Sequence, residues 1–500
     1  MARKTIRSIP QERAFMPVQD PEARARNFEE VALGFDRENA LLECERCLMC
    51  PQPACVEGCP VNIDIPGFIA KMIGKDFEGA WNHLTDSTLL PAVCGRVCPQ
   101  EEQCEGVCPV GDRLEPVAIG RLERWLGDQA IANGWRKTSH IEPVPFRVGI
   151  VGSGPASMAC AADLAKAGCK VTIFEALHAP GGVLRYGIPE FRLPNSVVDA
   201  EIANLEALGV EIRCNTLVGR LFTVEQMLGE MGFDAVFIGA GAGTPRFMDI
   251  PGENLNGVLS ANELLTRCNL MHAGDFPSYD TPLGLGKRVA VIGAGNTAMD
   301  AMRVSLRLGA EEVHCVYRRT EVECPARKEE LHHAQEEGIQ FHWLTTPVEL
   351  LGDAENNVRT IRCQQMELGE PDESGRRRPV PVEGSEFDFE ADTVVYAIGT
   401  SPNPILGQTS KLRLNKWGYI DTDADLATSL AGVYAGGDIV TGAATVILAM
   451  GAGRRAAASI RAYLGIRDSA VVYAADRNGF DNSLFGIDLA EKTFTHVQLA

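Results

Sequence analysis

Val148-Gly-Ile-Val-Gly152-Ser-Gly154-Pro155-Ala156-Ser157 is the stretch that decides the fold. A short apolar run, Phe146–Val151, ends at a glycine, a second glycine follows, and a helix-forming segment, Ala156–Ala167, begins at once. Gly152 permits the tight strand-to-helix turn. Gly154 lets backbone approach a pyrophosphate, and the helix N-terminus presents N–H groups to that anion. Ser157 stands where this pattern usually has glycine or alanine, and it is still small enough to pack. Glu175 closes the next strand, Val171-Thr-Ile-Phe-Glu175, where a carboxylate is placed to bind ribose hydroxyls.

The unit recurs at Val289-Ala-Val-Ile-Gly293-Ala-Gly295-Asn296-Thr297-Ala298-Met-Asp300, now with a regular third position at Ala298. Its following strand ends differently, in Val316-Tyr317-Arg318-Arg319. No acid stands there. Two guanidiniums suit a 2′-phosphate, which favours NADP(H) over NAD(H). A lone match can be a glycine-rich turn without a ligand. Two matches, each between a strand and a helix and with unlike strand ends, predict two unlike dinucleotides. A third stretch, Val433-Tyr-Ala-Gly436-Gly437-Asp438-Ile439, runs a strand into a turn and then into an apolar helix from about Ala443. Asp438 can hold a flavin ribityl hydroxyl there. Further strands are expected near Glu211–Cys214, Ala235–Ile238, Val358–Met366 and Thr393–Ala397, and a hairpin or surface loop at Glu370–Gly384.

Upstream the composition changes. Nine of the sixteen cysteines fall between Cys44 and Cys108. They read Cys44-x₂-Cys47-x₂-Cys50-x₄-Cys55-x₃-Cys59-Pro60, then Cys94-x₃-Cys98-Pro99 and Cys104-x₃-Cys108-Pro109. Such spacing lets a short loop hold several corners of an iron–sulfur cluster, and the Cys-x₃-Cys-Pro endings suit two-cluster sharing. Zinc also uses Cys₄ sites, but with fewer cysteines than these. Helices are expected over Pro21–Leu42 and Ile65–Leu84. The remaining cysteines are scattered, and none forms a close redox pair after the first glycine motif, which argues against a disulfide reductase.

Five hundred residues exceed one ordinary core, so several domains are expected. A net charge of −20 argues against nucleic acid as a partner. No apolar run is long enough to span a bilayer, because Val440–Gly453 is short and glycine-rich. With no secretory h-region at the start, a reducing, cytoplasmic setting is expected.

With these residues in hand, the chain resembles the small (beta) subunits of NADPH-dependent glutamate synthase. It is similar also to the large subunit of NADH-dependent ferredoxin:NADP⁺ oxidoreductase, the sulfide dehydrogenase alpha subunit and the amino-terminal part of dihydropyrimidine dehydrogenase. The stretches that carry the likeness are Pro91–Gln100, Glu115–Glu123, Gly181-Gly182-Val-Leu-Arg-Tyr-Gly-Ile-Pro189, Asn296–Asp300, Tyr317–Arg319 and Gly436–Met450, with Thr445 in the last. The resemblance implies an α/β chain with two Rossmann-like domains, the NADP(H) domain inserted in the FAD domain, preceded by a small helical iron–sulfur domain. Boundaries follow at 1–140, 141–284, 285–398 and 399–465, with a tail at 466–500 as a candidate docking segment.

It further implies FAD, NADP(H) and two [4Fe–4S] clusters. Cys47, Cys50, Cys55 and Cys108 would hold one cluster. Cys59, Cys98 and Cys104 would hold the other with Glu123 as fourth ligand, although spacing alone would favour Cys94 over that glutamate. No catalytic acid, base or nucleophile is expected. The implied function is electron transfer between NADPH, FAD and the clusters, to or from a partner subunit in a hetero-oligomer. That partner would be an amidotransferase-type synthase, a ferredoxin:flavin subunit, a 2-oxoacid oxidoreductase or ferredoxin itself. The alternatives are a stand-alone flavin reductase acting on a small substrate and a non-catalytic cluster scaffold.

Overall fold

The computed structural model describes residues 5–136, 141–371 and 377–466. The expected tail therefore lies almost wholly outside the described residues, and so does its docking role.

The amino-terminal part is helical. The expected helix over Pro21–Leu42 is instead a four-residue helix, Pro21–Arg24, an extended strap, and then Arg37–Glu45. The strap finds its backbone partners in other segments: Val31 N–H donates to the Phe191 carbonyl at 2.9 Å. The stretch Ile65–Leu84 forms two helices, Ile65–Ile73 and Phe77–Leu84, split at Gly74-Lys75-Asp76. Asp36, Asp64 and Asp76 each cap a helix by accepting a backbone N–H, a contact worth about 1 kcal/mol apiece. Helices Pro91–Val97 and Ile119–Asn133 cross with backbones nearly touching. A Cβ at Gly95 would stand 2.4 Å from Arg124 N, and one at Gly127 would stand 2.6 Å from Ala92 N. That crossing brings Cys94 and Cys98 to Glu123.

Two five-stranded, wholly parallel sheets follow. The first runs, edge to edge, Val433–Ala435, Ala235–Ile238, Arg147–Val151, Lys170–Phe174, Glu211–Arg213. The second runs Val258–Ser260, Thr393–Tyr396, Arg288–Ile292, Glu312–Val316, Gln340–His342. In each, the strand entering the glycine turn is central and buried, as a doubly wound sheet requires. The second sheet is inserted between the fourth and last strands of the first. The chain leaves and returns side by side, with Thr244–Pro245 antiparallel to Thr400–Ser401. The stretch expected as a hairpin joins strands Val358–Pro371 and Arg377–Glu390, the central strand and one edge of a three-stranded antiparallel sheet.

One hydrophobic core runs unbroken from the helical part (Leu84, Leu126) into the first α/β domain (Ile150, Met450, Ile460). The inserted domain is packed around two further cores, one of which takes in Val31 and Phe191 from outside it, and it is tied down by buried charge. Arg24 at the end of helix Pro21–Arg24 and Arg303 and Arg307 of the inserted domain all converge on Glu337. Burial works against the Glu337 charge, but hydrogen bonds from Arg307 and Arg303 hold its carboxyl at about 2. Arg192 of the first domain makes two hydrogen bonds to Asp300, at 2.8 and 2.7 Å. Breaking such a pair from one side leaves a buried charge uncompensated and costs about 3–5 kcal/mol.

Candidate functional site

At the first glycine turn, Gly152 has φ +88, and Gly154 begins helix Pro155–Lys166 with no side-chain cap on its first N–H groups. A Cβ at Gly154 would meet no protein atom within 4 Å, so the space in front of the helix is open. Gly182, at φ +55, packs its backbone against Gly154: a Cβ there would lie 2.8 Å from Gly154 Cα. Ser157 is accommodated from the opposite side by Gly239, where a Cβ would come within 2.3 Å of the serine hydroxyl. Glu175 is buried, and its carboxylate accepts from Ser153 N–H (2.9 Å), the Ser153 hydroxyl (2.5 Å) and Leu177 N–H (2.8 Å).

The carboxyl-terminal stretch completes this cradle. Gly437 has φ +77 and sits over Ala156. Asp438 follows, accepting Ala444 N–H at 3.2 Å, and burial pushes its carboxyl up to about 6. Thr445 caps helix Val446–Tyr463 by accepting from Leu448 N–H. That helix lies against Pro155–Lys166 so closely that a Cβ at Gly453 would stand 2.0 Å from the Ala156 carbonyl oxygen. Tyr186 was not singled out from sequence. It feels burial first, then the charges of Asp438 and Glu175, and its phenol rises to about 12. Its place inside the Gly181–Pro189 stretch is the only sequence signal that could have found it.

At the second glycine turn, Gly293 has φ +123 and Gly295 begins helix Asn296–Arg307, again without a side-chain cap on its first turn. Thr297 is exposed and Ala298 buried on that turn. Asn296 Oδ1 accepts Arg327 N–H at 3.0 Å. Two of the scattered thiols support the loop: Cys315 donates to the Gly293 carbonyl (3.4 Å) and Cys324 to that of Ala294 (3.2 Å). The two strand-end arginines are not equivalent. Arg318 is exposed, whereas Arg319 is buried and donates Nε–H to the Arg377 carbonyl at 2.8 Å.

The cysteines gather into two groups. Cys47, Cys50, Cys55 and Cys108 line one largely apolar cavity with Ile65, Ile69 and Val117. Burial, then the neighbouring Cys47, Cys108 and Cys50, push the Cys55 thiol up to about 12. In the second group Cys98 is raised by Cys94 and by burial, then by Glu123 and Cys59, while burial dominates at Cys59, which rises to about 12. Cys104 is raised by burial first, then by Glu105, and after these by Cys59, Glu123 and Cys55, members of both groups. Glu123 is buried among these thiols, its Oε1 has no hydrogen-bond partner, and burial, then Glu201, raise its carboxyl to about 8. A buried, unpartnered acceptor facing thiols is the donor set a metal centre would satisfy, since metal coordination deprotonates such ligands. Cys94 is also in this group, but its sulfur packs on Met450 Sδ at 3.6 Å and on the Thr88 hydroxyl at 3.9 Å. Among the described residues, no group of three or more His, Cys, Asp or Glu closes on a single metal ion.

Comparison with known proteins places the chain in a family. Residues 146–453 match the pyridine nucleotide-disulphide oxidoreductase family, and residues 24–135 match dihydropyrimidine dehydrogenase domain II, a 4Fe-4S cluster domain. The chain is thus an NAD(P)H-dependent oxidoreductase of that family, with an amino-terminal 4Fe–4S domain ahead of its FAD/NADP-binding part. The fold is shared with FprA of Mycobacterium tuberculosis, solved in complex with NADPH: TM-score 0.55 at 22% identity, over 69% of this chain and 89% of that one. The glutamate synthase [NADPH] small chain of Halomonas elongata is 38% identical over 90% of this chain and 97% of its own length. That of Escherichia coli is 35% identical over 93% and 100%. The chain belongs to the glutamate synthase small-chain family. The NADP(+)-dependent formate dehydrogenase subunit beta of Moorella thermoacetica is 40% identical over 82% of this chain and 60% of that one.

Proposed function

We propose that this chain is the electron-input subunit of a hetero-oligomer, taking reducing equivalents from NADPH and delivering them, by way of FAD and two [4Fe–4S] clusters, to a partner redox subunit. One observation carries the reading. Helix Val446–Tyr463, whose first turn closes the FAD cradle, also packs on the second cysteine group. Its Met450 touches Cys94, and a Cβ at Gly451 would stand 3.0 Å from the carbonyl of Pro60, the neighbour of Cys59. Flavin site and cluster site therefore share a wall, and the second cysteine group is the one nearer the flavin.

In this reading Cys47, Cys50, Cys55 and Cys108 hold the outer cluster, and Cys59, Cys98, Cys104 and Glu123 the inner one. The missing partner at Glu123 Oε1 supports the glutamate over Cys94. Gly152, Gly154, Pro155, Ala156, Gly182 and Gly437 shape the FAD pyrophosphate site, with Glu175, Asp438 and Thr445 beside it. Gly293, Gly295, Asn296, Thr297 and Ala298 receive NADPH, with Arg318 on its 2′-phosphate and Arg319 anchoring the adjoining hairpin. When bound, these cofactors supply hydride and single-electron chemistry without a protein acid, base or nucleophile. The protein fixes distance and excludes water. Its domains divide near residues 140, 284 and 398. Relatives named as small chains and a beta subunit support a larger partner subunit.

Anaerobic NADPH titration tests this. Flavin bleaching followed by two reduced-cluster signals in low-temperature EPR is expected. Glu123→Ala should alter one of those signals and spare the other. Two unaltered signals would return the fourth ligand to Cys94, and bleaching without any cluster reduction would overturn the electron path.

A further inference from the structure

We propose that the cavity between the helical domain and the inserted domain is a binding site for a small dianion, a phosphate or a dicarboxylate, separate from the nucleotide cradle. The cavity holds about 290 Å³, and eight cationic side chains line it against four carboxylates. Such an excess is unexpected in a chain whose net charge is −20.

The carboxylates are already committed. Glu105 accepts Gly120 N–H at 3.0 Å and pairs with Arg13, and Glu101 accepts Lys328 N–H at 3.0 Å. Glu330 is held between Arg192 and Arg303. The donors are not used up. Arg13 Nε, Arg327 Nε and His333 Nδ1 are buried side-chain nitrogens without a hydrogen-bond partner, and all three residues line this one cavity. Arg121 has its nearest carboxylate, Glu329, only at 3.9 Å, while burial and the neighbouring Arg13 both work against its charge. Unpaired Nε–H groups on convergent guanidiniums call for an acceptor with several oxygens and more than one negative charge. At about 300 Å³ and upward a cavity takes a small ligand, and this one sits at that lower limit.

The site is not the glycine cradle but its neighbour. Segment Cys324–Lys328 divides them: Pro325 Cγ lies 4.0 Å from the Cβ position of Gly295, Arg327 N–H donates to Asn296, and Arg327 and Lys328 face the cavity.

The experiment uses the holoenzyme with NADP⁺ saturating, so that the cradle is filled. Inorganic phosphate and, separately, succinate are titrated calorimetrically. One saturable site per chain is expected, and the tighter of the two probes identifies the source. Arg121→Gln and Lys328→Gln should each weaken binding about tenfold, the worth of a lost charged hydrogen bond, while Lys416→Gln, outside the cavity, leaves it unchanged. Lys328 is exposed, so its variant decides if Arg121→Gln fails to assemble. No saturable binding of either probe, binding indifferent to both substitutions, or binding seen only without NADP⁺ would each overturn the proposal.

Discussion

At the end of the second strand of the first cradle stands Glu175, buried and accepting three hydrogen bonds from its own chain; at the same place in the second cradle stands Arg318, exposed. The first cradle is closed over by helix Val446–Tyr463, with Gly453 set against Ala156. The second is bordered by the short Cys324–Lys328 segment. Two copies of one strand–turn–helix unit have thus been finished differently. One is sealed into the continuous core that also holds the cysteine groups, as a resident cofactor requires. The other sits in a domain whose core reaches the rest of the molecule only through Val31, Phe28 and Phe191 and through buried ion pairs, as an exchanging nucleotide requires.

The comparison can be broken most sharply at the second glycine of each turn. Gly154 and Gly295 both have φ values open to alanine, −71 and −81, and neither Cβ would clash with protein, the nearest atom being 4.0 Å away at Gly295. Alanine at such a position costs no folding stability and can add about 0.4–1 kcal/mol. Its methyl group, however, stands where a pyrophosphate must approach. Gly154→Ala is expected to give folded protein purified without FAD and without NADPH oxidation. Gly295→Ala should keep its yellow colour and its melting temperature and show a raised KM for NADPH. Equal FAD content in the two variants would erase the distinction drawn between the cradles.

A smaller effect separates the two arginines of the second cradle. If Arg318 holds the 2′-phosphate as proposed, Arg318→Ala removes charged hydrogen bonds worth about 1.5–3 kcal/mol. The KM for NADPH should rise about tenfold or more, and that for NADH should not change. Arg319→Ala should lower the melting temperature, because the tie to the Arg377 carbonyl is lost, with less change in the NADPH-to-NADH ratio. If Arg319 proves the discriminating residue, the exposed position is not the phosphate contact.

The sequence made the duplicated units legible because a glycine turn between a buried strand and a helix leaves few alternatives. It made the cysteines legible as a group for the same reason: their spacing is local. What it could not carry were relations between distant segments. The strap before Arg37 was expected as helix, yet Val31 finds its partner in Phe191. The two helices in Ile65–Leu84 share one apolar face, so their periodicity hides the break that Gly74 makes and Asp76 caps. Arg318 and Arg319 are adjacent letters of like charge, and only the hairpin more than fifty residues away buries one of them. Glu123 follows no ligand spacing. Its fit emerges from the close crossing at Gly95 and Gly127, which sets a carboxylate without a partner among thiols.

A last pair of substitutions, read in stability and not in cofactor binding, tests whether the cradles also differ electrostatically. Asp438 in the first and Asp300 in the second are both pushed by burial from 3.8 to about 6, yet their partners differ. Asp300 carries the Arg192 fork, whereas Asp438 has the Ala444 N–H. A carboxyl raised in the folded state holds a proton there that the unfolded chain has already lost. Stability therefore falls as pH rises from about 4 to about 6, and above that the penalty is complete, at most about 3 kcal/mol for two pKa units. In flavin-free protein, Asp438→Asn should remove that penalty: its melting temperature at pH 7.5 should exceed the parent's, and the two should converge near pH 4. Asp300→Asn should do the opposite at pH 7.5, lowering stability by about 3 kcal/mol, because Arg192 would be left buried with Glu330 alone. Melting curves that shift in the same direction for both variants would mean that ion pairing contributes no more to the second cradle than a backbone N–H does to the first.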